Sequence, residues 1–309
     1  MTPTDESGTE KAHIDQTVVD ALGSLGNRKR LEILLALTEA ERETQEQWLT
    51  MSFTELYDAV GIESTSQFSY HLDRLVGWFV AETPDGYRLT YGGDKLVRTI
   101  LSGVYETTQS FDDVAVAGTC VFCEDTSLVA TMDTERFVVR CRSCETTLLT
   151  DMLPRSQTRN RSPTAIVDSV GARIWSSYTL VRGGVCPECY GPVDTVVDTH
   201  DPETDEDEDR TFYALSHTCQ ECWLAVHMPI EVTAAFHPVT AAFFWEHGIS
   251  LPDVPIWEFF EYIATETIRT DVASTDPLEA TVTVTFGDET LRLEMDDTFT
   301  VTPEPAEEN

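Results

Sequence analysis

The sequence predicts an α+β protein, and three observations predict it. Two helix-start signals, Ser52-Phe53-Thr54-Glu55 and Ser64-Thr65-Ser66-Gln67, follow one another closely, each with a hydroxyl three residues before a Glu or Gln. All eight cysteines fall in four C-x-x-C pairs. Short β candidates bounded by Gly, Pro and Asp lie among these features. The expected order is an N-terminal winged helix-turn-helix domain, then a C-terminal region with two CxxC…CxxC zinc-ribbon-like modules, helices and a β-hairpin.

The expected boundaries are a disordered N-terminus at 1–13, the winged helix-turn-helix at 14–110 and a first zinc ribbon at 111–152. A linker with a helix at 153–184 leads to a second ribbon with an acidic loop at 185–230. A helical and β-hairpin effector region at 231–300 and a disordered tail at 301–309 close the chain.

In order along the chain, a helix is expected near Ile14–Leu25. Asn27 then caps a helix carrying Leu31, Ile33, Leu34, Leu35 and Leu37. Arg28, Lys29 and Arg30 occupy its first turn, where the helix dipole disfavours cations, which suggests phosphate contact or an interface. Thr38 to Met51 is read as a long acidic connection. The first capping box opens a short helix that a left-handed Gly61 would stop. The second opens a helix with Phe68, Leu72, Leu75, Val76 and Phe79 on one apolar stripe.

The opposite face of that helix carries Ser66, Gln67, Tyr70 and Arg74, with Ser69 and His71 at its margins. A polar helix face is usually just a solvated one. Here, however, two strand candidates follow, Val80–Glu82 and Tyr87–Thr90, around the turn Thr83-Pro84-Asp85-Gly86. Arg88 sits where such a hairpin meets a phosphate. A last helix is expected over Gly93–Val104.

Leu25-Gly26-Asn27-Arg28 leading into Arg30-Leu31-Glu32-Ile33-Leu34, and Ser66-Gln67-Phe68-Ser69-Tyr70-His71-Leu72 with its wing, resemble the ArsR-type winged-helix regulators. Ser64 to Val80 and Tyr87-Arg88-Leu89-Thr90-Tyr91-Gly92-Gly93 look like members of that class from haloarchaea. The resemblance covers about the first third of the chain. It implies binding to double-stranded DNA as a homodimer, with Gln67, Tyr70 and Arg74 near bases or phosphates and Ser66, His71 and Arg88 fixing the frame. No Cys lies in these helices, so the thiolate metal sensor of the founding family members is not implied.

The net charge of −35 is unusual for a DNA-binding chain. Residues 1–110 hold 9 Lys+Arg against 18 Asp+Glu, and the remainder 11 against 37. There are three lysines, none after Lys95. An acidic, Lys-poor surface resembles proteins adapted to molar salt, where a Debye length of ~3 Å screens repulsion from DNA. Close base-edge and shape contacts then matter more than counterion release. No apolar run is long enough for a membrane span, and the polar, acidic N-terminus is unlike a secretory signal. A cytoplasmic protein is expected.

The cysteine pairs are Cys120/Cys123, Cys141/Cys144, Cys186/Cys189 and Cys219/Cys222. Two such pairs on tight turns supply four thiolates at tetrahedral corners, a closed four-cysteine zinc site. The first interval of 17 residues holds Ser127–Thr131 and Arg136–Arg140 as β candidates, the layout of a ribbon. The second interval of 29 residues contains the acidic run His200 to Arg210 and otherwise resembles the first, as in a diverged duplication. Two structural zinc ions are therefore expected; iron–sulfur ligation and a regulatory thiol or metal switch share the spacing. Disulfides are disfavoured in a cytosolic chain.

Arg155, Arg159, Arg161, Arg173 and Arg182 make the one locally basic stretch, read either as a nucleic-acid or acidic-ligand contact or as arginines paired with the acidic body. Pro238–His247 and Pro255–Ala264 are aromatic-rich helix candidates. Ala280–Phe286 and Thr290–Met295 alternate around Gly287-Asp288 as a hairpin. His217, His227, His237 and His247 lack metal-helix spacing and read as core or surface histidines. The expected function is a DNA-binding transcriptional regulator with a C-terminal module for an effector or protein partner. A basal factor resembling archaeal transcription factor E, or a protein-interaction module, are the alternatives. No nucleophile–base set or phosphate loop suggests an enzyme.

Overall fold

The computed structural model describes residues 14–46, 48–200 and 212–304, apart from the His200 side chain. The expectations for residues 1–13, for most of the acidic run and for residues 305–309 lie outside the described residues. The chain divides into two compact units, one ending at Glu106 and one beginning at Thr107. It is a mixed α+β protein whose four small sheets are all antiparallel.

In the first unit, α1 (Gln16–Gly23) is capped by Asp15, whose carboxylate accepts from the Thr17 N–H. Asn27 caps α2 (Arg28–Thr44) as expected, accepting from the Lys29 N–H. That helix absorbs Thr38–Thr44, half of the expected connection, because Glu, Ala and Arg there are good helix formers. The short α3 (Phe53–Ala59) and α4 (Thr65–Asp73) follow, then the hairpin β1 (Val80–Thr83) and β2 (Gly86–Leu89), then α5 (Tyr91–Ser102).

Ile33, Leu34, Leu37, Leu56, Phe68, Leu72 and Leu75 fill the core of this unit with Val80 and Val97. Each such side chain, fully buried, contributes roughly 1.5–3 kcal/mol. The apolar stripe of the second helix is only partly helical. α4 ends at Asp73, and Leu75, Val76 and Phe79 reach the core from the turns that follow. Gly61 is not left-handed. Val60 instead leaves α3 in extended conformation, φ −113° and ψ 138°, and buries its own side chain with Ile62.

The second unit begins with a sheet of β3 (Phe111–Ala115), β4 (Leu128–Asp133), β5 (Arg136–Cys141) and β6 (Thr147–Met152), paired in chain order. The short α6 (Arg155–Thr158) leads into α7 (Pro163–Val181), capped by Ser162. A second sheet joins β7 (Val193–His200), β8 (Phe212–Cys219) and β9 (Ala225–Pro229). Then come α8 (Ile230–Ala235), α9 (Pro238–Glu246) and α10 (Ile256–Ala264). The last sheet is β10 (Ile268–Thr275), β11 (Leu278–Phe286), β12 (Glu289–Met295) and β13 (Val301–Pro303).

The segment read as a linker is the central helix of this unit. Val170, Ile174 and Tyr178 of α7 pack in one cluster with Phe137 and Val139 of β5, Val232 of α8, Phe244 of α9, Trp257 of α10, and Val282 and Leu293 of the last sheet. Both ribbon-like segments and the C-terminal helices thus share a core. The expected hairpin is the middle of a four-stranded sheet. The tail expected to be disordered from residue 301 starts with a strand, since Val301 pairs with Met295 and packs on the core. No helix among the described residues is long and apolar enough to cross a membrane.

Candidate functional sites

The first capping box is complete: the Ser52 hydroxyl accepts from the Glu55 N–H at 3.3 Å, and the Glu55 carboxylate accepts from the Ser52 N–H at 2.8 Å. At α4 the Ser64 half is present, its hydroxyl accepting from the Gln67 N–H at 3.3 Å. With Phe68 and Leu72 buried, the helix turns Ser66, Gln67, Tyr70 and Arg74 outward as an exposed set. The Arg74 guanidinium stands 5.6 Å from the Tyr70 ring centroid, a cation–π contact that stiffens both.

Ser69 and His71 are half-buried. The His71 Nδ1 is enclosed without a hydrogen-bond partner, and burial, then the charges of Arg30 and Lys29, hold its pKa below the usual value. His71 therefore stands apart from the outward set. Arg88 lies half-buried on β2, with its guanidinium 5.5 Å from the ring of Trp48. Trp48 is exposed at a positive φ of 66° and escaped sequence reasoning; a lone Trp in an acidic connection was its only signal.

The hairpin is fastened to the body by a two-way bridge between Met51 and Tyr87, at 2.9 and 2.8 Å. Gly86 permits that approach: a Cβ there would lie 2.2 Å from the Met51 carbonyl oxygen. The cations at the start of α2 have local uses. Arg28 and Lys29 pair with Glu32 at 2.8 and 3.3 Å, Lys29 also donates to the Gly61 carbonyl, and Arg30 donates to the Ser24 carbonyl at 2.5 Å. Elsewhere on this unit α1 buries none of its residues, and Val18, Val19 and Leu22 remain exposed. Leu101, Val104 and Tyr105, at the end of α5 and just beyond, are exposed as well.

In the second unit the eight cysteines gather in two groups, Cys120, Cys123, Cys141, Cys144 and Cys186, Cys189, Cys219, Cys222, the sulfurs of each lying within 4.8 Å of one another. Sulfur separations are 3.7 Å for Cys120–Cys144 and 3.6 Å for Cys123–Cys141, then 3.6 Å for Cys186–Cys222 and 3.4 Å for Cys189–Cys219. Four sulfurs about 2.3 Å from a tetrahedral zinc stand about 3.8 Å apart. Both groups fit a metal ion.

All four C-x-x-C turns share one backbone geometry. The first cysteine's N–H donates to the carbonyl five residues on: Cys120 to Asp125, Cys141 to Thr146, Cys186 to Gly191 and Cys219 to Leu224. The residue after each second cysteine is left-handed: Glu124, Glu145, Tyr190 and Trp223, with φ of 59°, 60°, 64° and 61°. That twist turns both sulfurs to one side. Backbone N–H groups of Glu221 and Cys222 reach the Cys219 sulfur at 3.4 and 3.5 Å. Led by the Cys222 N–H, such bonds bring the Cys219 thiol down to about 6, while burial pushes Cys123 up to about 12.

The basic stretch is spent largely inside the unit. Arg173 pairs with Asp151, Arg161 donates to the Gln157 carbonyl at 3.0 Å, and Arg182 stacks 5.5 Å from Phe236. His217 is a core histidine between Thr195 at 2.8 Å and the Tyr178 hydroxyl at 3.3 Å, and burial brings it down to about 4. His237 caps α9, and His247 stacks on Phe286.

A family model described as "Domain of unknown function (DUF7351)" matches residues 117–301, the span of both cysteine groups and the shared core. The chain belongs to that family. A second model, "Domain of unknown function (DUF7347)", matches residues 18–100, the helices and hairpin of the first unit. No curated protein and no solved structure matches the chain.

Proposed function

We propose that this protein is a sequence-specific DNA-binding transcriptional regulator, with an ArsR-like winged helix-turn-helix as its first unit and a zinc-stabilised second unit. The observation that carries the reading is the outward set of Ser66, Gln67 and Tyr70 on the capped helix α4 with Arg74 at its C-cap. Residues at the front of such a helix meet base edges in a major groove. Gln67 is suited to the N6/N7 edge of adenine, and Arg74 to a guanine edge or a phosphate. The brief α3–α4 connection and the hairpin carrying Arg88 support the same docking, with Arg88 on the flanking backbone.

The exposed apolar residues of α1 and the end of α5 favour a homodimer, which would match a two-fold DNA site. The proposed metal is zinc, held by Cys120, Cys123, Cys141, Cys144 and by Cys186, Cys189, Cys219, Cys222. Each set offers four sulfurs and no open position, so the zinc is structural rather than catalytic. The reading is tested by selecting DNA sites for the full chain in molar KCl and measuring binding of Q67A/R74A to the selected site. The double variant should lose the selected site by at least tenfold; unchanged affinity would remove the reading head from α4.

A further inference from the structure

The second unit holds a cavity of about 770 Å³, a volume typical of small-molecule sites. Its apolar lining includes Phe122, Leu149, Phe212, Tyr213, Met228 and Phe260. The Phe122 and Phe212 rings lie 5.1 Å apart, tilted by 54°. Phe122 belongs to the first cysteine turn, between Cys120 and Cys123, so that turn shapes one wall.

The charged groups in this lining are mostly acidic: Glu231, Glu266 and Asp271 against Arg269. Glu231 faces the cavity from α8, and burial pushes its carboxyl above the ordinary carboxylate range. The Thr270 hydroxyl in the same lining stands beside the Glu231 carboxyl and works against that rise, without forming a well-aligned hydrogen bond. Glu266 adds a second carboxylate. Arg269, the one arginine in the lining, is held by Asp271 at 2.6 Å, and the His227 Nδ1 is engaged by Ser216 at 2.7 Å. Among the described residues, no cation is paired with Glu231.

We propose that this cavity binds a small organic cation with an apolar body, its ammonium group on Glu231 and its body among the aromatic rings. Ring faces attract a desolvated cation, and a partly buried carboxylate acts on it more strongly than one in water. An anion would meet Glu231 and Glu266 with no free cation in compensation. A neutral apolar molecule would leave the Glu231 carboxylate with the Thr270 hydroxyl and no countercharge.

The test is calorimetric titration of the full chain with benzyltrimethylammonium, and in parallel with benzyl alcohol and benzoate. Saturable binding of one benzyltrimethylammonium per chain is expected, with the alcohol and the benzoate at least tenfold weaker. E231Q should lower the affinity for benzyltrimethylammonium about tenfold while leaving metal content and unfolding temperature unchanged. Equal or preferred binding of the alcohol or benzoate overturns the proposal, as does full affinity in a folded E231Q. Should E231Q fail to fold, the ranking of the three probes on the native chain decides.

Discussion

Gln67 and Arg74 are both turned outward, and in the proposed docking they carry different duties. An amide that reads a base edge acts on sequence preference, whereas a guanidinium on a phosphate acts on affinity for every sequence. Q67A alone should therefore relax specificity at one base position, as seen by repeating site selection with the variant. R74A should instead weaken binding across sites and flatten the salt dependence. Two other residues test the backbone. A Cβ on Gly93 would lie 2.1 Å from the Phe79 carbonyl oxygen, so Gly93→Ala should cost about 1–3 kcal/mol by overpacking, read by chemical denaturation. Glu145 has a φ of 60°, a conformation that glycine adopts without a Cβ penalty. Glu145→Gly should then hold or raise the unfolding temperature, even though it removes a side chain beside a metal site.

At the level of elements, legibility followed the range of the interactions. The caps at Asn27, Ser52 and Ser64 were readable because each bond closes within three residues. The cysteine turns were readable for the same reason. The end of α4 was not: Leu75, Val76 and Phe79 keep helical spacing, yet they enter the core from turns because the hairpin must start at Val80. β10 escaped because only one face of it is covered, leaving a polar sequence with Ile268 as its buried residue. α7 was legible as a helix but not as the centre of a core, since the buried members of its cluster come from residues 121 to 293. Cysteine substitution tests the elements built on the two ribbons. Cys144→Ser should lower the metal content from two per chain to one, measured by elemental analysis, and loosen β4–β6. A full complement of metal in that variant would contradict the four-sulfur assignment, and iron with visible absorbance would contradict zinc.

Across the whole molecule, the acidic excess and the cysteine groups are unevenly divided between the units. Most of the excess negative charge lies after residue 110, in the unit that holds both cysteine groups. Structural zinc bound as proposed would supply folding free energy directly, so chelation should unfold the second unit and leave the first with its helical signal, giving two separate transitions by circular dichroism. High salt should stabilise both units by screening self-repulsion. DNA binding in molar salt would then rest on close contacts from α4 rather than on long-range attraction. Genome-wide footprinting of the protein in molar KCl tests that central claim most directly. Occupancy is expected at a limited set of two-fold symmetric sites and should be lost with Q67A/R74A. Occupancy at every promoter, or at none, would contradict it.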